Sequence, residues 1–204
     1  MRHLVLPVLS CVLLQGMAQI VNPGFESGMA SWQSTCPSES YLSTDVPPYG
    51  GSSSMAITML STTQPDCYHG GDMIQPYLYQ VLPGLQNGAQ VQGHLWSKAV
   101  PDLPANAIHM QGEVMVGWIT SPTTFSFAFG GMAGGGGQLD WTTTTFSGTL
   151  TGMPVGATPA IFLGGHAFNN TNGTMLFDNV HISIADTGVA LNAKAWLDGA
   201  YVQN

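Results

Sequence analysis

From Ile20 onward the chain is written in short apolar alternations broken by Gly, Pro, Asn and Ser, and no apolar period of 3.6 is sustained over ten residues. This pattern rules out a helical bundle and prescribes strands, because successive side chains of an extended chain point to opposite faces. Strands are expected at Ile20 to Val21, Phe25 to Glu26, Tyr41 to Ser43, Ser54 to Met59, Ile74 to Val81, Ala89 to Ala99, Ile108 to Ile119, Trp141 to Leu150, Ala160 to Gly165 and Thr174 to Ala185. Short strands at such spacing build a sandwich or a barrel. The expected fold is therefore all-β, a two-sheet antiparallel β-sandwich over residues 19–186.

The alternation also assigns faces. Val91 and Leu95 point to one side of their strand, and Gln92, His94, Trp96 and Lys98 to the other. In the last strand Leu176, Val180, Ile182 and Ile184 are expected on one side and Phe177, Asn179 and His181 on the opposite one. Thr142 to Thr145 suit an exposed pleated surface. The run from Gly130 to Gly137 reads as a mobile loop at one end of the sandwich. It is no phosphate cradle, lacking a Lys or Ser/Thr at the required spacing and a following helix.

At 204 residues one domain is the default. Only 7% of the residues are charged, but 44% are hydrophobic, so charge-driven disorder is excluded. Three basic residues against eleven acidic ones give a net charge of -8. Counterion release from phosphates therefore cannot drive binding, which excludes nucleic acid as a main partner.

Residues 1–18 read as a secretory signal: Arg2 opens it, an apolar run extends from Leu4 to Leu14, and Gly16-Met17-Ala18 supplies small residues for cleavage after Ala18. The run is too short to span a bilayer, and no later stretch approaches the ~20 residues required. A lipoprotein anchor at Cys11 is the weaker reading, since that cysteine sits inside the apolar run. Export would remove Cys11 and leave Cys36 and Cys67 as the thiols of a secreted or cell-surface chain, which points to a disulfide between them. Closing a loop of that length contributes roughly 3 to 4 kcal/mol on the chain-entropy account.

Catalytic patterns are scarce. There is no Gly-x-Ser-x-Gly elbow and no evident pair of carboxylates on adjacent strands, as glycoside hydrolysis would need. His69, His94, His109, His166 and His181 are far apart in sequence with no His-x-x-x-His spacing, so zinc or a triad rests on composition alone.

Several phrases carry a resemblance when taken in order: Asn22-Pro23-Gly24-Phe25-Glu26-Ser27-Gly28 followed by Trp32; Gly51 to Ile57; Tyr79-Gln80 with Leu82-Pro83-Gly84; His94 to Ala99; Trp141 to Phe146; and Phe177-Asp178-Asn179-Val180. Together they span residues 20–184, and the chain resembles the carbohydrate-binding modules of the family 4/9/22 type, which are galactose-binding-like jelly rolls. The resemblance implies a non-catalytic module that binds polysaccharide. It further implies that the first and last strands lie together and hold a structural calcium ion, here through Glu26 and Asp178; a hydrogen-bonded pair of loop carboxylates is the competing reading. Trp32 and Trp141 fall where the family keeps packing aromatics. Gln92, His94 and Trp96 resemble the sheet face that stacks an aromatic ring on a sugar, and Glu113, on the neighbouring strand, would accept hydroxyl hydrogens. Trp96 as covered core and Glu113 as a solvated carboxylate are the plainer alternatives.

The Pro-rich stretch from Val100 to Ala107 and the glycines near Gly134 depart from the family pattern. Within the tail 187–204, Leu191 to Tyr201 resembles a segment that follows such modules in surface and secreted proteins of Bacteroidetes, so the tail is either a truncated following segment or a docking peptide for a surface protein. A structural or adhesive extracellular module without sugar binding is the alternative function, since fold does not fix function.

Overall fold

The computed structural model describes residues 19–59, 76–122, 124–136, 138–169 and 171–185. The signal segment, Cys67 and the tail lie outside them. Ten strands follow in chain order: β1 Gln33–Ser34, β2 Ser40–Ser43, β3 Ser54–Met59, β4 Leu78–Val81, β5 Gln90–Pro101, β6 Met110–Ser121, β7 Thr124–Gly135, β8 Thr142–Thr149, β9 Thr158–Ala167 and β10 Gly173–Ala185. One sheet has the order β1-β4-β9-β6-β7 and the other β2-β3-β10-β5-β8, with antiparallel pairing throughout. The fold is the expected two-sheet β-sandwich.

Between the sheets lies one apolar core. β3 supplies Met55, Ile57 and Met59; β5 supplies Val91, Leu95 and Ala99; β6 supplies Val114, Val116 and Trp118; β9 supplies Ile161 and Leu163. These core residues stand at period-two positions, and in β3 and β9 the opposite face is buried as well, by Ala56 and by Ala160 and Phe162. Trp32 is in this core beside Phe25, their ring centroids 5.2 Å apart. Trp141 is not. It is half-buried, and its Nε1–H donates to Asp45 Oδ1 at 2.9 Å.

Four expectations are corrected. Residues 20–26 form no strand, because Asn22 and Phe25 have φ of 55° and 56°, a left-handed conformation incompatible with extension. The segment still reaches the last strand, since Val180 N–H donates to the Pro23 carbonyl at 3.0 Å. The glycine run is largely strand: β7 extends to Gly135 and pairs with β6. A Cβ on Gly130 would sit 2.1 Å from Met115 Sδ, and one on Gly135 2.1 Å from the Met110 carbonyl oxygen, so the glycines permit close strand approach rather than mobility. The Pro-rich stretch is split between the end of β5 and a 3-10 turn over Pro104–His109.

The fourth correction concerns β10. Its register against β5 slips between Asp178 and His181, where Asn179 adopts φ 49°. This bulge shifts the alternation by one residue. Phe177 therefore joins the core together with Val180, whereas Leu176 is outside the core cluster and pairs with Lys98.

Candidate functional site

Gln92, His94 and Trp96 share the outer face of the sheet containing β5, as alternation predicted. Gln92 and His94 are exposed and Trp96 is half-buried. Lys98, next along the strand, is engaged: its Nζ donates to Asp45 Oδ2 at 2.6 Å. Asp45 also receives Trp141, and these hydrogen bonds, with the Lys98 charge, outweigh burial and hold its carboxyl below the ordinary range. The loop carrying Asp45 thus anchors over the Trp96 end of that face. The other end is an open depression of about 600 Å³, lined by Gln92, His94, Thr145, His181 and Ser183 together with apolar Phe146 and Ile182.

Glu113 belongs elsewhere. It lies on β6 in the opposite sheet, between Gly164 of β9 and Met132 of β7, so it is not on a strand paired with β5. The sequence offered no register from which to see this. His166 Nε2 and Glu113 Oε1 are 2.5 Å apart, both side chains being about one-sixth exposed.

The outer face around Glu113 carries the densest aromatic group of the described residues. Phe162 of β9 is fully buried although it points away from the core, because four rings surround it: Phe127 at 5.2 Å, Phe125 at 5.4 Å, Tyr79 at 5.8 Å and Tyr77 at 6.1 Å between centroids. Tyr77 contacts Phe127 at 5.4 Å, and Tyr79 contacts Phe125 at 5.7 Å. Register explains the meeting: Tyr79 of β4 and Met115 of β6 flank Phe162 on either side, and Phe127 of β7 is opposite Gly117.

The rings are fixed by more than one another. The Tyr79 hydroxyl donates to Gln33 Oε1 at 2.6 Å. Tyr77 lies over Gly164, where a Cβ would come within 2.4 Å of its ring, so glycine is what lets the tyrosine lie flat. Burial, reinforced by the Glu113 charge, pushes the Tyr77 hydroxyl well above the usual phenol range and keeps it protonated. Phe127 remains 36% exposed, and Tyr79 and Phe125 are half-buried. The outer face of a sandwich sheet is ordinarily polar and solvated; here it is a rigid apolar platform with Gln33, Glu113 and His166 at its margins.

Over the central strand of the other sheet, Glu26 and Asp178 both border Gly24. The Ser52 hydroxyl and the Ser52 and Ser53 amides donate to Glu26 at 2.6, 2.9 and 3.0 Å and hold its carboxyl below the ordinary value. A Cβ on Gly51 would strike Glu26, and one on Gly50 would be 2.5 Å from Asp178 Oδ2. Asp178 is fully buried, and Oδ2 has no hydrogen-bond partner in the structure. Burial, with the Glu26 charge adding to it against the Asn179 amide, pushes Asp178 up to about 7. Among the described residues no three of His, Cys, Asp and Glu gather as a metal-ligand group. A cation here would thus draw on these two carboxylates and backbone carbonyls, a donor set that fits a hard ion. Cys36 is buried; its expected pairing with Cys67 falls outside the described residues.

Comparison with solved structures places the architecture. The chain superposes on the CBM22-2 xylan-binding domain of Paenibacillus barcinonensis Xyn10C with a TM-score of 0.52 and 14% identity, covering 79% of this chain and 96% of that one. The chain has the carbohydrate-binding-module jelly-roll fold. A cyclase from Fischerella sp. TAU matches with a TM-score of 0.55 and 12% identity over 85% of this chain and 98% of that one. The enzymatically active domain of bacteriophage CBA120 tailspike protein 4 matches at 0.52 and 12% identity over 83% of this chain; the chain spans 22% of that longer protein. No protein-family model and no curated protein matches the sequence. The same jelly roll therefore occurs in binding domains and in an enzyme, and function has to be argued from the site. No helix among the described residues is long and apolar enough to cross a membrane.

Proposed function

We propose that this is a secreted, non-catalytic carbohydrate-binding module that holds a polysaccharide on the outer face of the β1-β4-β9-β6-β7 sheet. The observation that carries the reading is the ring layer around Phe162. Five aromatic side chains pack outside the core across the sheet from β4 to β7, and Phe127 and its half-buried neighbours remain open to solvent. Aromatic faces remove water from the C–H surface of a sugar, and rings already locked by one another lose little rotamer freedom on binding. Glu113 and His166 at the margin supply a hydroxyl acceptor and a ring nitrogen. Among the residues of these five strands Glu113 is the single carboxylate, whereas glycoside hydrolysis uses two at about 5 to 10 Å.

Calcium at Glu26 and Asp178 accompanies this reading, supported by the buried, unbonded Asp178 oxygen beside a second carboxylate. When bound it would fasten the leading segment to β10. Export through residues 1–18 and a Cys36–Cys67 disulfide belong to the same proposal.

Affinity electrophoresis of the chain lacking residues 1–18 against xylan, β-glucan and mannan tests it. Retardation is expected with at least one polymer, at a Kd between millimolar and micromolar, which corresponds to about -4 to -8 kcal/mol. Phe127→Ala should remove most of it without loss of folding. Folded protein that migrates freely in every gel refutes the reading and favours a structural or adhesive module.

A further inference from the structure

His94 and His181 are 87 positions apart in sequence, yet the β5–β10 register sets them directly opposite one another. Their rings are near-parallel, 26° between planes, with centroids 4.9 Å apart on the outer face of the sheet. Both are exposed and both line the mouth of the 600 Å³ depression. Neither ring has a hydrogen bond to any described side chain, unlike His109 and His166, which pair with Asn169 and Glu113.

From this we propose that His94 and His181 form a two-imidazole site for a divalent late transition-metal ion such as zinc, a function independent of sugar binding on the opposite face. Neutral imidazole is a preferred ligand for zinc, copper and nickel. A tetrahedral ion with two nitrogens at about 2.1 Å requires them about 3.4 Å apart. A metal must lie in the plane of both rings, so this stacked pair has to turn about its side-chain bonds until two lone pairs converge; the rings are exposed and their strands are already in register, so no backbone movement is needed.

The surroundings suit the remaining coordination positions. Thr145 is opposite His94 on β8, and Gln92 and Ser183 face each other one step along the same side of the sheet, all lining the depression. These groups supply hydrogen-bond partners for metal-bound water. Lys98, the cation on the same face of β5, is held away by Asp45. The ion would clamp two strands at the point where the β10 bulge ends.

Isothermal titration of untagged protein with zinc chloride, in buffer containing 5 mM calcium to occupy oxygen sites, tests the proposal. One zinc per chain is expected at micromolar concentration, with affinity reduced more than about tenfold by His94→Ala and by His181→Ala, and unchanged by His109→Ala. Substoichiometric copper(II) should selectively broaden the His94 and His181 ring resonances in proton NMR, and this readout stays informative if a variant is unstable. Zinc binding of wild-type strength in the folded double variant, or no saturable binding by the wild type, overturns it.

Discussion

Replacing Asp178 by asparagine isolates what it costs to bury a carboxylate that has an unbonded oxygen. In the folded chain Asp178 titrates at about 7; in the unfolded chain it titrates near 3.9. The gap is about three units, or about 4 kcal/mol at 1.36 kcal/mol per unit. The folded state retains a proton that the unfolded state has shed, so stability falls as pH rises from about 4 to about 7 and then levels off. For a domain of this size that is a fall of about 8 to 16 °C in Tm. The Asp178→Asn side chain has no proton to lose, and its amide oxygen can still accept the Asn179 amide that now bonds Asp178 Oδ1 at 2.6 Å. Its own N–H adds a fixed cost of about 1 to 3 kcal/mol, which shifts the curve without tilting it. Thermal unfolding of both proteins in a chelator at pH 4.5, 6 and 8 should give a difference that swings toward the variant by about 3 kcal/mol, the part of the gap not already spent at pH 4.5. Calcium at pH 8 should restore the wild type and leave the variant unmoved. Parallel curves for the two proteins in chelator would refute the electrostatic argument.

Other changes read different parts of the structure. Phe162→Ala empties the centre of the ring layer and should cost about 3 to 5 kcal/mol in urea unfolding, with sugar binding lost as well. Gly135→Ala places a Cβ 2.1 Å from a backbone oxygen at φ 85° and should lower Tm far more than Gly136→Ala, whose added Cβ meets open space and costs about 1 to 2 kcal/mol. Lys98→Met breaks an ion pair whose members are 22% and 41% exposed, so chemical denaturation should show a loss below about 1 kcal/mol.

The parts legible in sequence are those where one face of a strand is buried. Val91 and Leu95 face the core, because alternation along β5 leaves no other arrangement; Ser54 to Met59 has the expected ends although it is buried on both faces. The expected strands omit β7, although Phe125, Phe127 and Phe129 alternate along its first half; from Gly130 to Gly135 glycine has no side chain with which to write a period, and only the register against β6 shows the pairing. The aromatic platform left a partial trace: Tyr77-x-Tyr79 and Phe125-x-Phe127 are period-two pairs, and Ala160 to Leu163 is apolar on both faces, as a strand covered on both sides must be. What the sequence withholds is pairing. Neither Glu113 beside His166 nor His94 beside His181 follows from spacing, because β6 meets β9 and β5 meets β10 only after intervening strands have been laid down.

The extra residue in β10 sets how such a molecule can change. Side chains on either outer surface can be exchanged one at a time, and the interior need not register it. Deleting Asn179 would leave Val180 facing inward opposite Leu95 and His181 outward opposite His94, so the ladder would close without changing which side chains face the core. A residue gained or lost in a regular stretch of β10 would turn every later side chain over, so the strand can change length at the bulge and not beside it.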